Sequence, residues 1–302
     1  MKILLKLAAI AVPPVCGVLF VSLALHVLFP YAFPARLGTD RWVCVSDEAA
    51  VKADGSLWEW EGGYFNDRIW EWEKGNFNKR IGEDSDWAYV SSAYGYSLAI
   101  KADGSLWVWG RYSPHMYLGA GVPENYDEPV QVGEDYDWKM VVTYYASDVA
   151  IKTDGSLWRL TQYEYDTDIS YFEPTRTGTD SDWASVSGIA AIKKNGDVWA
   201  WGYDRYKREG DFWLSQERTD HMQFAGYRNW VFFGEGAAID TDGSLWTWSG
   251  RLGRALGSGI PWISHYKPER VYGGRRWAAV AKADDYTVAI KKDGSLWAWG
   301  RY

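Results

Sequence analysis

The sequence predicts an all-β fold: a single β-propeller of six four-stranded blades, closed by its N-terminal strand and preceded by one transmembrane helix. Three observations predict it. The segment Asp-Gly-Ser-Leu-Trp occurs at Asp54, Asp103, Asp154, Asp242 and Asp293, with a degenerate sixth copy at Asn195-Gly196-Asp197-Val198-Trp199. A Trp precedes each copy at one of two fixed distances, 16 residues (Trp87 to Asp103) or 12 (Trp42 to Asp54). The last copy lacks a segment that stands, in surplus, in front of the first.

In chain order, the first element is apolar. No charged residue falls between Leu7 and Phe29, and at about 1.5 Å per residue a helix of that length spans roughly the 30 Å hydrocarbon core. Lys2 and Lys6 precede it, so the positive-inside tendency keeps the N-terminus in the cytoplasm and exports the remainder of the chain. A cleaved signal peptide is the competing reading. The apolar run continues to Phe33, however, past the small-x-small candidate Ser22-Leu23-Ala24, and is longer than a signal core. Residues 1–33 are therefore expected to be a cytoplasmic stub and membrane anchor or uncleaved signal. Residues 34–302 are expected to be the propeller, on the extracytoplasmic side of a bacterial cell membrane.

The repeat is next. Asp-Gly between two apolar runs signals a tight hairpin, here expected as a type I′ turn. The stretch before it, as in Ala99-Ile100-Lys101, is one strand, and the stretch after it, as in Leu106-Trp107-Val108-Trp109, is the next. Trp-x-x-Val, as in Trp87 to Val90, is the strand before both. Apolar residues at both alternating positions mean that both faces of each sheet are covered. A fourth strand is expected from short segments that often start at Pro, such as Pro129–Gly133 and Pro174–Gly178. The last copy ends at Tyr302 without one. Pro34-Ala35-Arg36-Leu37-Gly38-Thr39-Asp40 matches Pro174-Thr175-Arg176-Thr177-Gly178-Thr179-Asp180 at five of seven positions, so the N-terminus is expected to complete the sheet containing Ser295–Trp299. Such an exchange closes a ring and removes free sheet edges.

The unit Trp-x-x-Val … Ala-Ile-Lys-x-Asp-Gly-Ser-Leu-Trp-x-Trp-Gly resembles the regulator of chromosome condensation repeat in its bacterial form, over Pro34 to Tyr302. Domains of that family commonly have seven blades; six units are present here. The Gly-Gln-Leu-Gly that often comes after the second Trp in the family survives only as Leu118-Gly119 and Leu256-Gly257. The resemblance implies a protein that acts by presenting propeller faces to partners. It does not carry over nucleotide exchange or chromatin binding, because the domain is expected to be exported and is acidic.

Composition narrows the function classes. Setting aside Lys2 and Lys6, 30 of the 32 Lys and Arg face all 40 Asp and Glu, a balance that repels a phosphate backbone and argues against nucleic acid. Cys16 lies in the apolar run and Cys44 beyond it, so no disulfide framework is expected. No Cys/His spacing suggests a metal, no Gly-rich loop suggests a phosphate, and no cofactor is expected. His115, His221 and His265 fall in separate segments with no nucleophile beside them. The repeated Asp is read as a turn residue rather than a catalytic or calcium-binding acid.

Seventeen of the 21 Trp occupy repeat positions and suit core packing. Trp70, Trp72, Trp213 and Trp262 do not, and are placed in loops between blades. Together with Tyr64, Phe65, Arg68, Tyr112, Tyr117, Tyr163 and Tyr165 they form the candidate binding set, since binding residues gather on loops held by a rigid scaffold. The expected function is non-enzymatic binding of a protein partner. The alternatives are a propeller that binds cell-wall or host glycans by aromatic stacking, a lyase or glycosidase with acids and Arg or His at one end of the central channel, and a diverged scaffold that binds nothing strongly.

Overall fold

The computed structural model describes residues 34–46, 48–59, 79–93, 95–111, 116–117, 125–143, 148–164, 169–188, 190–202, 213–215, 229–234, 236–249, 265–271, 273–282 and 286–300. They form a six-bladed propeller. After β1 (Ala35–Leu37), blade one comprises β2 (Trp42–Val45), β3 (Ala49–Lys52), β4 (Leu57–Glu59) and β5 (Lys79–Arg80). Blade two holds β6 (Trp87–Ala93), β7 (Tyr96–Lys101) and β8 (Leu106–Arg111). After the short β9 (Met116–Tyr117), blade two is completed by β10 (Asn125–Val132). Blade three is β11 (Trp138–Val142), β12 (Val149–Lys152), β13 (Leu157–Glu164) and β14 (Ile169–Arg176). Blade four is β15 (Trp183–Val186), β16 (Ala190–Lys193), β17 (Val198–Gly202) and β18 (Trp213–Ser215). Blade five is β19 (Trp230–Gly234), β20 (Ala237–Asp240), β21 (Leu245–Ser249) and β22 (His265–Arg270). Blade six is β23 (Trp277–Lys282), β24 (Tyr286–Lys291) and β25 (Leu296–Gly300), completed by β1.

The exchange is antiparallel and in register: Ala35 pairs with Ala298, Arg36 with Trp297 and Leu37 with Leu296. It buries Leu37 and removes an edge. Within each blade the strands run antiparallel in chain order. The first strands are innermost and meet those of neighbouring blades, as β2 meets both β6 and β23. Each first strand carries a register shift immediately after its Trp. Such a bulge turns one residue away from the ladder, and here that residue is Val43, Ala88, Lys139, Ala184, Val231 or Ala278. All of these are exposed except Ala184, which is half-buried.

The repeat's aromatic pairs form the packing between strands. The first Trp of a blade meets the third-strand Trp edge to face, as in Trp138–Trp158 (5.9 Å, 83°) and Trp87–Trp107 (5.8 Å, 79°), the arrangement ring quadrupoles prefer. The core breaks into clusters centred on blades and their seams, each mixing residues of two or more neighbours.

Three local expectations are corrected. Among the described residues, Arg276 alone is a non-glycine with positive φ, so the Asp of each Asp-Gly is not left-handed as a type I′ turn requires. The hairpin is instead a type I turn followed by a left-handed glycine: Gly55 (φ +81) donates to Lys52 O at 3.0 Å and Lys52 N donates to Ser56 O at 2.9 Å. The fourth strands of blades two and three are longer than the Pro-led segments, and Pro129 and Pro174 lie inside them. Both sit at bulges (the register shifts between Tyr126 and Val130, and across Leu160), where a residue without an N–H costs no ladder bond. Finally, β9 pairs in parallel with β14 and gives blade three a fifth strand.

Among the described residues no helix is long and apolar enough to cross a membrane. The apolar run Leu7–Phe29 lies outside the described residues.

Candidate functional site

Strand direction divides the ring into two faces. The Asp-Gly turns and the segments leading into each first Trp lie on one face. The connections between third and fourth strands, and between first and second, leave from the other.

The turn face is built by one bonding scheme. In blade three Asp154 Oδ1 accepts from Ser156 N (2.8 Å) and Ser156 Oγ (2.5 Å), and Ser156 Oγ accepts from Trp158 Nε1 (2.7 Å). Blades one, two and six repeat it with Asp54, Asp103 and Asp293. Hydrogen bonds from the serine hold these carboxyls below their ordinary range. The last residue of the second strand is Lys in five blades, and its ammonium lies between two Trp rings. Lys152 Nζ is 4.6 Å from the centroids of both Trp138 and Trp158, a cation–π geometry worth about 0.5–2 kcal/mol. The ammonium is then met by the segment before its own blade's first Trp: Asp135 (2.8 Å) and Asp137 (2.9 Å) in blade three, Asp84 (2.6 Å) and Asp86 (3.3 Å) in blade two, Asp180 (2.6 Å) and Asp182 (3.1 Å) in blade four. Blade one, one residue shorter there, uses Asp40 (2.8 Å). Burial works against the charge on Lys101 and Lys152, but their carboxylate partners hold both above the usual ammonium range. This Asp-x-Asp-Trp signal is legible in the sequence at Asp84, Asp135 and Asp180, three residues before each Trp, and reading only downstream of Trp misses it.

Arg80, from the fourth strand of blade one, donates to Glu83 O (2.7 Å) and Ser85 Oγ (2.9 Å); Arg176 does the same to Thr179 O and Ser181 Oγ for blade four. The fourth strands of blades one and three thus fix the acidic segments of blades two and four.

Blade five departs from the scheme. Asp240 replaces the Lys, and Asn229 stands where the second Asp would be. Asp240 Oδ2 accepts directly from Trp246 Nε1 at 2.9 Å. Blade four has Asp197 in place of the turn Ser, and Trp199 Nε1 is buried with no hydrogen-bond partner.

At five seams the first Trp N–H donates to the glycine carbonyl of the preceding turn: Trp42 to Gly294, Trp87 to Gly55, Trp138 to Gly104, Trp183 to Gly155 and Trp277 to Gly243, at 2.8–3.2 Å. Among the described residues no such bond joins Trp230 to Gly196 at the blade four to blade five seam. Between them is a cleft of about 260 Å³, lined by Ala184, Lys194, Asn195, Gly196, Asn229 and Val231 among others.

The opposite face holds a buried polar belt. Ser46 Oγ donates to Ser92 Oγ (3.0 Å), which pairs with Ser97 Oγ (2.8 Å). Ser91 pairs with Thr143 (3.2 Å), and Tyr96 Oη donates to the buried Asp148 at 2.7 Å. Trp109 Nε1 donates to Glu59 Oε1. Cys44 is a free thiol between first strands, exchanging contacts of 3.4 Å with Val90 N and O; burial pushes it up to about 11, a protonated and unreactive state at neutral pH.

Of the candidate binding residues, Tyr64, Phe65, Arg68, Trp70, Trp72, Tyr112, Tyr165 and Trp262 lie outside the described residues. Three sit in strands rather than loops. Tyr117 is in β9 opposite Tyr171, Tyr163 is in β13 opposite Ser170, and Trp213 opens β18 opposite Gly202. For Tyr163 the reason is that β13 runs on beyond the repeat against β14, whereas Trp213 opens a fourth strand and Tyr117 lies in the strand added to blade three. The strands flanking the 60–78 connection place its two ends on the face opposite the turns. His115 and His221 also lie outside the described residues, and His265 opens β22. Around the channel mouth on the turn face, the residue after each first Trp is small or aliphatic except Lys139. Among the described residues no group of three or more His, Cys, Asp or Glu could hold a metal ion.

No family model matches the chain. A stretch of 67 residues is 34% identical to the X-linked retinitis pigmentosa GTPase regulator homolog of Caenorhabditis elegans, covering 22% of this chain but 5% of that protein. Human WBSCR16 superposes with a TM-score of 0.54 at 17% identity, covering 82% of this chain and 70% of that one. Prp20p of Saccharomyces cerevisiae, described with its binding properties to Gsp1p and histones, superposes with a TM-score of 0.51 at 13% identity over 85% of this chain and 70% of its own. The class defined by the fold is the β-propeller. The two superposed structures show that architecture alone.

Proposed function

We propose that this chain is a binding module for a protein partner, engaged through the connections between third and fourth strands on the face opposite the Asp-Gly turns. One observation carries the reading. The turn face repeats one bonding scheme in blades one, two, three and six, and in blades one to four its lysine ammonium groups are paired with carboxylates. The connections between third and fourth strands, which vary in length and composition, leave from the other face, where Ser, Thr, Tyr and Asp side chains are hydrogen-bonded to one another. A rigid frame with one variable, aromatic side suits recognition. Prp20p, of similar fold, binds proteins, which is compatible with this use; its partners are not transferred. No catalytic step is assigned.

The charge-free run from Leu7 to Phe29 behind Lys2 and Lys6 supports a single-pass tether in a bacterial membrane with the propeller outside. Retention in the membrane pellet after alkaline carbonate, with protease access from outside intact cells, is the expected result; release into the wash would remove the tether.

The test of the binding reading is a pull-down from membranes and secreted material with the full chain as bait. A saturable protein partner, lost when residues 64–72 are replaced by Gly-Ser, is expected. Capture of wall polysaccharide alone, lost on Trp70→Ala or Trp72→Ala, would replace the protein reading with the glycan one.

A further inference from the structure

Blades one to four hold a lysine ammonium between two Trp rings and close it with carboxylates. Blade six builds the same cage without them. Lys291 Nζ lies 4.9 Å from the Trp277 centroid and 3.9 Å from that of Trp297. The positions that carry Asp135 and Asp137 in blade three, three and one residues before the Trp, carry Gly274 and Arg276 in blade six. Lys291 Nζ donates instead to Gly273 O at 3.1 Å. Among the described residues no carboxylate comes within ion-pair distance of it. Among the described residues, a Cβ on Gly274 would meet nothing within 4 Å.

The surroundings are positive. Arg276, Lys292 and Arg41 are exposed, and Arg41 Nε donates to Asp293 O at 3.1 Å. Arg275 is turned toward Asp242 of blade five (3.3 Å). Asp293, the acid adjacent in the turn, has its Oδ1 taken by Ser295 N (2.9 Å) and Oγ (2.6 Å), and feels both Arg36 and Lys291. Burial pulls the Lys291 ammonium below its usual range, and Asp293 offsets this only in part. The lysines of blades two, three and four, with their carboxylate pairs, are shifted the opposite way.

We propose that Lys291, in its cage of Trp277 and Trp297, is a carboxylate-binding site, and that its occupant is an Asp or Glu side chain from an acidic segment of a partner protein. Carboxylate is the chemistry that four sibling blades already place on this ammonium. A peptide is favoured over a small free acid because Arg36, Arg41, Arg276 and Lys292 spread positive charge beyond the cage, where further acidic side chains of the same segment would be matched. The site lies on the turn face, away from the variable connections, and stands whether or not those connections bind.

The test titrates the full chain at low salt with two probes, the capped peptide Ac-Glu-Asp-Glu-Asp-Glu-NH2 and succinate. The Trp297 indole N–H, which donates to Ser295 Oγ at 2.9 Å, serves as an NMR reporter. The peptide is expected to shift this resonance. Lys291→Met should weaken peptide binding about tenfold or more, the size of one charge-assisted contact. Gly274→Asp, which installs the sibling blades' own carboxylate, should weaken it comparably in a folded protein, and Lys152→Met should leave it unchanged. No peptide binding, or equal affinity in wild type and Lys291→Met, would overturn the site. Succinate binding with the same dependence on Lys291, and no response to the peptide, would overturn the peptide as occupant.

Discussion

The seam between blades two and three and the seam between blades four and five start from nearly the same local structure and end differently. Gly104 and Gly196 are both left-handed turn glycines, at φ +85 and +90, and both donate to the lysine carbonyl three residues back. At the first seam Trp138 N donates to Gly104 O at 3.2 Å, and the backbone of Tyr136 passes so close that a Cβ on Gly104 would collide with its carbonyl. At the second, among the described residues, there is no such bond and a Cβ on Gly196 would meet nothing within 4 Å, and a cleft lies between the blades. One glycine is required twice, by its own φ and by its neighbour blade; the other is required once. A propeller seam is therefore a set of contacts that each turn can make or omit while its own hairpin stays intact.

The largest effect that would break this comparison comes from the glycines. Gly104→Ala is expected to cost about 3 kcal/mol or more, combining left-handed strain of about 1–2 kcal/mol with overpacking of about 1–3 kcal/mol. Gly196→Ala carries only the strain, about 1–2 kcal/mol. Urea melts with unchanged m-values would read the difference directly, and equal losses at the two sites would mean the seams are alike.

A smaller effect concerns the turn serine. Ser156→Ala removes the acceptor of Trp158 Nε1 and a hydroxyl bond to Asp154, and is expected to destabilise by about 1–2 kcal/mol. Asp197→Ser offers Trp199 Nε1 the acceptor it lacks, and is expected to stabilise by about 1 kcal/mol. Thermal unfolding of the two variants should shift in opposite directions, and destabilisation by Asp197→Ser would show that the orphan N–H is not what separates blade four from blade three.

The smallest effect is on pH. The folded pKa values of Asp103 and Asp154 are lowered, so their contribution is present above the unfolded carboxylate value, about 3.9, and is lost as pH falls through the lower folded values. Asn195 occupies the same place in blade four and does not titrate. Amide exchange should accelerate on acidification at Ser156, whose N–H the Asp154 carboxylate holds, and not at Asp197, whose N–H is held by Asn195 Oδ1 at 2.9 Å. Equal acceleration at both would assign the acid sensitivity elsewhere.

Much of this architecture is legible from residues alone. The strand triplet of each blade follows from apolar runs flanking Asp-Gly, and the closing pair Arg36–Trp297 follows from the likeness of Pro34–Asp40 to Pro174–Asp180. The turn type is not legible, because Asp-Gly suits both hairpin geometries; the side-chain bond from Ser56 N to Asp54, with Asp54 at negative φ, decides between them. The fourth strands extend past their sequence boundary because Pro reads as an end, whereas Pro129 and Pro174 sit at bulges within a strand. The candidate site is legible as a set of aromatic residues, but three of them, Tyr117, Tyr163 and Trp213, are strand residues. The lysine cages escape a sequence reading because their members are four separate pieces: the end of a second strand, two Trp on different strands, and a segment that another blade's arginine holds in place.

The number of blades, their strand order and the closure of the ring were determined by the sequence by itself, because each depends on a local pattern that recurs at readable spacing. Which seams lock, and that each second-strand lysine is seated between two Trp rings within reach of the segment before its blade's first Trp, were decided only in the tertiary structure. Gly196 looks like Gly104 until the ring sets each beside a particular neighbour. The contacts that distinguish the two glycines join residues on different blades, at distances that no spacing along the chain encodes.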